Sequence, residues 1–366
     1  MAGKNYKELI AEENDAMILT KQQLIDEVDK AVANYHAPKG EILEKQIEWF
    51  RDQKFGLMVH WGLYCQMGMK ESWPLVDNDW SKWQFRPGTK PIEVKEMYSQ
   101  LHKGFLPLRF DPEEWADIAY EAGFRYLVFT TKHHDGFAMF QSDASKFNIV
   151  DYTPFKRDIV DEVAQACRKH GMKIGFYYSQ SQDWCNAGGA TARKSMSEGW
   201  ANPDSTDIDS FTAAHAGAWD YKQREKSFDQ YFHDVALPQM KELITRYPDL
   251  AVIFFDTPMS INDSQAAEMM ELLKDHPQII LNDRLKRPNY PGDYKTPEGR
   301  IPKPEDVEGV YWETCMNIGS SWGYKSWEHN WKSSDDILRT IIPIAARGGN
   351  LLLNVGPDHL GNIPQQ

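Results

Sequence analysis

Several apolar segments of this chain end in residues that can bind or activate a polar ligand. His60 follows Phe55–Val59. His133 and His134 follow Tyr126–Thr131. Tyr177, Tyr178 and Ser179 close the run that begins at Lys173, and Asp256 closes the one that begins at Leu250. Asn282 and Arg284, Glu313 and Asn354 end three further segments. Any one of these has an ordinary structural reading, as a capping acid or a core histidine. Their recurrence at successive segment ends argues for one shared site. Two acids on separate segments, Asp256 and Glu313, suit glycoside hydrolysis. One carboxylate attacks the sugar carbon and the other protonates the leaving oxygen. An aromatic content of 13%, with 13 Trp, supplies flat faces for sugar rings. The rival chemistry is metal-dependent hydrolysis. Its first strand usually carries His-x-His, whereas this one carries His60 before Trp61. His133 and His134 are adjacent, and adjacent residues on an extended strand point to opposite faces. Neither a metal nor a cofactor is expected.

The elements that must position these residues alternate between strand and helix. Leu250-Ala-Val-Ile-Phe-Phe-Asp256 is a short continuous apolar run, the pattern of a strand buried on both faces of a parallel sheet. Asp111-Pro-Glu-Glu-Trp115 opens a helix, with Asp as cap, Pro at the first position and acids in the first turn. Helices are expected over 158–170, 221–247 (irregular near Pro238), 264–273 and 335–346. Strands are expected over 55–60, 126–131, 173–179, 250–256, 278–284, 310–314 and 350–355. That makes seven strands, with an eighth in an irregular segment. Their number, and the length of the chain, favour a (β/α)8 TIM-like barrel of the α/β class over an open doubly wound sheet. No G-x-G-x-x-G follows the first strand. Residues 1–45 read as a polar helical extension and 46–366 as the barrel. Residues 63–110 and 180–220 read as long irregular connections, the kind that carry binding sites.

Charge and composition narrow the partners. A formal charge of −13 gives no basic face for nucleic acid. No run of about 18 apolar residues is present to span a membrane. The four cysteines form no C-x-x-C pair and read as buried thiols. The opening MAGKNYKELIAEEN lacks the apolar run of a signal peptide, so export would imply a leader already removed. Oligomeric state is not set by these patterns.

With those residues in view, the chain resembles the α-L-fucosidases of glycoside hydrolase family 29. The matching motifs are Phe55-Gly-Leu-Met-Val-His-Trp-Gly62, Lys132-His-His-Asp-Gly-Phe137, and Gly175-Phe-Tyr-Tyr-Ser179 with Asp183-Trp184. Asn282-Asp-Arg284, Trp312-Glu313, Ser321-Trp-Gly-Tyr324 and Gly349-Asn-Leu-Leu-Leu-Asn-Val-Gly-Pro357 follow in family order. The resemblance implies a retaining exo-hydrolase that removes terminal α-L-fucose from a fucosylated glycan. By that resemblance Asp256 is the nucleophile and Glu313 the acid/base. His60, His133 and His134 bind sugar hydroxyls, Tyr178 and Arg284 flank the nucleophile, and Trp73 and Trp322 wall the pocket. Trp61 and Trp184, within matched motifs, join the substrate-binding set. Two motifs depart from the family's usual form. Glu71-Ser-Trp-Pro74 stands where Glu-Trp-Tyr is common, and Phe-Phe-Asp-Thr-Pro stands where Trp-Phe-Asp-Gly is common. Residues 361–366 stop short of the last barrel helix, and no complete C-terminal β-sandwich is expected. An exo-hydrolase of α-L-galactosides and a catalytically silent sugar-binding barrel are the alternatives.

Overall fold

The strands form where apolar runs are bounded by polar turns, and the helices between them begin at side-chain caps. The structure, a computed structural model, describes residues 30, 33–37, 39–68, 70–75, 91–186, 188–189, 226–257 and 261–364. The helical reading of residues 1–36 therefore lies largely outside the described residues, as do residues 76–90 of the 63–110 connection and most of the 180–220 connection. Helix α1 (Glu41–Gln53) leads into β1 (Phe55–Val59). Helix α2 (Pro112–Glu121) starts at Asp111, whose carboxylate accepts from the amides of Glu113 and Glu114, as its sequence predicts. Then come β2 (Tyr126–Lys132), α3 (Ile159–Lys169) and β3 (Lys173–Tyr178). The helix before β4 begins at Phe228–Tyr231, widens into a π turn over Phe232–Ala236, and continues as α4 (Leu237–Arg246). The irregularity expected at Pro238 falls in the turn just before it, where a proline's missing N–H is tolerated. β4 (Val252–Phe255), α5 (Asp263–Leu273), β5 (Ile280–Leu281), β6 (Glu313–Asn317), α6 (Ser334–Ala346) and β7 (Asn350–Val355) complete the order.

Among the described residues the seven strands make one parallel sheet in the order β5-β4-β3-β2-β1-β7-β6. It is a curled sheet of the TIM-barrel type, as the alternation predicts. The gap between β5 and β6 is spanned by the irregular segment 294–298. Tyr294 bridges Asn282 on one side, while Lys295 and Glu298 bridge Trp312 and Cys315 on the other. This segment occupies the eighth position without being a regular strand.

Strand parity divides the core in two. Leu57, Val59, Leu127, Phe129, Ile174, Phe176, Ile253, Phe255, Leu351 and Leu353 face outward and pack with the helices. Met58, Tyr126, Val128, Tyr177, Val252, Phe254, Cys315 and Leu352 face the lumen. Helix α1 closes the lower mouth: Ile47 and Phe50 are buried against this second group, and Phe50 lies 4.8 Å from the ring of Tyr294. A lumen sealed below by α1 leaves the carboxyl ends of the strands as the accessible end.

Candidate active site

Residues 252, 254 and 256 share one parity along β4, so the strand that buries Val252 and Phe254 in the lumen aims Asp256 upward at its rim. Two groups hold its carboxylate and a third stands beside it. Arg284 Nη1 donates to Oδ1 at 2.8 Å, the Tyr177 hydroxyl donates to Oδ2 at 2.8 Å, and His134 Nε2 lies 3.6 Å from Oδ2. Burial alone would raise the pKa of Asp256. The charge of Arg284, with the hydrogen bonds from Arg284 and Tyr177, outweighs burial and holds the carboxyl below the usual range. Thr257, directly after it, takes a left-handed backbone (φ 46) that a β-branched residue rarely adopts. The strand run thus ends in a sharp turn at Asp256.

Asp256 lies in a cavity of about 180 Å³. His60, Glu71, Trp73, His133, His134, Arg284 and Trp322 line it with Asp256. So do Tyr177, Glu298, Lys70, Asn317 and Ser321. Each histidine is anchored from behind. His60 Nδ1 meets Asn354 Oδ1 at 2.7 Å, His133 Nδ1 meets Ser72 Oγ at 2.5 Å, and His134 Nδ1 meets Ser179 Oγ at 2.7 Å. Burial depresses all three imidazoles, His134 to about 4, so they are neutral at neutral pH. The parity expected to separate His133 from His134 does not operate. β2 ends at Lys132, both residues lie past it in a turn, and their rings stand 4.2 Å apart. Among the described residues no group of three His, Cys, Asp or Glu could hold a metal ion.

Glu298 joins Asp256 and Glu71 in this cavity, whereas Glu313 does not. Arg284 Nη2 donates to Glu298 Oε2 at 2.9 Å, so one guanidinium joins Asp256 to Glu298. Glu298 is near the carboxyl end of the eighth segment, and its side chain is 46% exposed. Glu313, expected at a strand end, is the first residue of β6. It pairs in register with Asn350, the first residue of β7, and it receives the hydroxyl of Tyr126, the first residue of β2. At the usual rise per residue it lies ~13 Å down the strand from Asn317 at the rim. It does not line the cavity and is fully buried at the lower end of the lumen. The physical reason is register: the apolar run beginning at Val310 enters the sheet three residues later than its composition suggests.

Three other expected site residues lie elsewhere. Tyr178 has the outward parity, and its hydroxyl donates to Gln239 Oε1 at 2.9 Å behind the sheet. Its neighbour Tyr177 is the tyrosine that reaches Asp256. Trp61 is buried against Phe105, Phe110 and Trp115, and its indole N–H donates to the carbonyl of Asp358. Trp184 is buried behind His134 and Trp73, its centroid 5.6 Å and 5.4 Å from theirs, and does not line the cavity. Trp73 and Trp322 do line it. Glu71 accepts from Ser321 Oγ at 3.0 Å and the Gly323 amide at 3.2 Å, which ties the rim of β6 to the loop after β1. Strict parity from the lumen residue Gly175 would have selected Tyr177. Nothing local marks Glu298, which lies in a Pro- and Gly-rich stretch without strand periodicity.

A curled parallel sheet with ionisable side chains converging at its carboxyl end is the arrangement of barrel enzymes. The chain belongs to the α-L-fucosidase family, whose model matches residues 23–366. It is 34% identical to a solved structure of the α-L-fucosidase AlfC from Lactobacillus casei in complex with α-L-fucose product. That likeness has a TM-score of 0.69 and covers 88% of this chain and 94% of that one. Isoenzyme 1 from Paenibacillus thiaminolyticus gives a TM-score of 0.72 at 30% identity, covering 89% of this chain and 73% of that one. Human tissue alpha-L-fucosidase is 28% identical over 341 residues, 86% of this chain and 64% of that protein. The chain spans less than two thirds of the length of the first curated relatives it matches.

Proposed function

We propose that this protein hydrolyses terminal α-L-fucosides with retention, using Asp256 as nucleophile and Glu298 as acid/base. The observation that carries the reading is the guanidinium of Arg284, which holds both carboxylates at the floor of one small cavity. Asp256 is kept ionised and aimed by Arg284 and Tyr177, the state a nucleophile needs. Retention asks for carboxyl groups roughly 5–5.5 Å apart, and a single guanidinium bonded to both supports that reading. Glu298 is half-exposed and open to solvent. In the first half-reaction it gives that proton to the leaving oxygen, and in the second it takes one from the attacking water. Glu71 and the neutral imidazoles offer acceptors to sugar hydroxyls, and Trp73 and Trp322 offer apolar walls. The cavity is smaller than the roughly 300–1,000 Å³ of sites for drug-sized ligands, which favours a single sugar ring. The likeness to relatives named as α-L-fucosidases supports fucose as that ring.

Hydrolysis of an aryl α-L-fucoside, with the anomer released followed by NMR, tests the reading. Asp256→Ala should abolish turnover and leave the fold intact. Glu298→Ala should slow substrates with poor leaving groups most and recover rate with azide. Near wild-type activity of Asp256→Ala, or first release of the inverted anomer, would overturn it.

A further inference from the structure

The hydrogen bonds behind two cavity histidines leave one arrangement of protons for each ring. Ser179 Oγ donates to the backbone carbonyl of Gln182 at 2.8 Å. A carbonyl only accepts and a hydroxyl carries one proton, so the contact of 2.7 Å to His134 Nδ1 requires that nitrogen to be the donor. Asn354 follows the same logic. Its Nδ2 donates to the Trp322 carbonyl at 2.7 Å and to Asn317 Oδ1 at 3.2 Å. Its Oδ1 is therefore the atom facing His60, and His60 Nδ1 donates to it at 2.7 Å. In a neutral imidazole the other nitrogen then carries a lone pair and no proton.

We infer that Ser179 and Asn354 are positioning residues that hold His134 and His60 as Nδ1–H tautomers, so that both Nε2 atoms accept hydrogen bonds from ligand hydroxyls. The inference rests on the proposed sugar substrate for its ligand, but its tautomers follow from this chain alone. For His134 the consequence is sharp. Its Nε2 and Asp256 Oδ2 are both acceptors, and at 3.6 Å they are beyond a direct hydrogen bond. Asp256 Oδ2 already receives the Tyr177 hydroxyl, and a ligand hydroxyl placed against His134 Nε2 supplies the donor for that nitrogen. Glu71 and Asp256 add further acceptors along the same wall. At the positions facing these two rings the site therefore reads hydroxyl protons, and a group that only accepts gains no hydrogen bond there.

Two readouts test this. The first is the ¹⁵N spectrum of histidine-labelled protein without ligand at neutral pH, in which pyridine-type and pyrrole-type nitrogens are distinct. The expected result is a pyridine-type Nε2 on His60 and His134, lost for His134 alone in Ser179→Ala and kept for His60 in Asn354→Asp, whose carboxylate also accepts from Nδ1–H. The second is calorimetric binding of L-fucose and of its monodeoxy and monodeoxyfluoro analogues. At the hydroxyls facing these rings, fluorine should cost as much affinity as hydrogen, because fluorine accepts but does not donate. Ser179→Ala should weaken L-fucose binding about ten-fold, the loss of one hydrogen bond. A pyrrole-type Nε2 on either ring of the wild type would overturn the inference, and that spectrum decides it even if a variant fails to fold. Fluoro analogues that bind like L-fucose at every position would overturn it too. Failure of L-fucose itself to bind, with the tautomers as stated, would instead refute the proposed substrate.

Discussion

Glu313→Gln tests whether the buried acid in the Trp-Glu motif is structural. Glu313 is enclosed at the lower end of the lumen, and burial pushes its carboxyl from the ordinary 4.5 to about 8, against a smaller opposing pull from the Tyr126 and Tyr294 hydroxyls. Between those two values the folded protein keeps a proton that the unfolded chain releases. The stability this group contributes is therefore complete below about pH 4.5 and is lost as the pH rises through about 8. From pH 5 to pH 7 the loss is two pH steps of roughly 1.4 kcal/mol, on the order of 3 kcal/mol. Asp135, pushed to about 7, and Asp293, pushed to about 6, add slopes of the same sign, so the quantity to measure is a difference between proteins. Urea unfolding of wild type and Glu313→Gln at both pH values should show a flatter pH dependence in the variant, by about that amount. Hydrolysis of aryl α-L-fucosides by Glu313→Gln should stay close to wild type at pH values where both are folded. Equal pH slopes in the two proteins would refute the buried, protonated state. Selective loss of poor leaving groups, rescued by azide, would return the acid/base role to Glu313.

Three further substitutions test the parity and packing around the site. Tyr177→Phe removes a hydrogen bond to an ionised carboxylate and should lower kcat/KM by roughly 10- to 150-fold. Tyr178→Phe removes only bonds behind the sheet, to Gln239 and to the Ala236 carbonyl, so it should leave kinetics unchanged and cost about 1 kcal/mol in urea unfolding. The opposite ranking in kinetics would invert the strand parity. Gly136→Ala would place a Cβ 2.0 Å from Asp183 Oδ1 on a backbone with φ 82. Moving Asp183 off the fully buried Lys132 Nζ, now 3.0 Å away, leaves a buried charge unpaired, worth roughly 3–5 kcal/mol in unfolding measurements. An unchanged midpoint would refute that pairing.

The sequence by itself determined the class of fold, the family and most of the floor of the site. Apolar runs and capped helices are local signals. Asp111, Asp158 and the run ending at Asp256 therefore form the elements their neighbours predict. His60, His133, His134, Asp256 and Arg284 were legible because each closes such a run or lies just past it. Tertiary structure alone decided which acid joins Asp256. Glu313 and Glu298 differ in how far along the sheet they lie, and that is a matter of register between strands distant in sequence. Parity decided between Tyr177 and Tyr178, because one residue's shift turns a side chain from the lumen to the outer helices. The proton positions on His60 and His134 were decided later still, by Asn354 and Ser179. Asn354 reaches His60 across 294 residues and Ser179 reaches His134 across 45, distances over which local pattern carries no information.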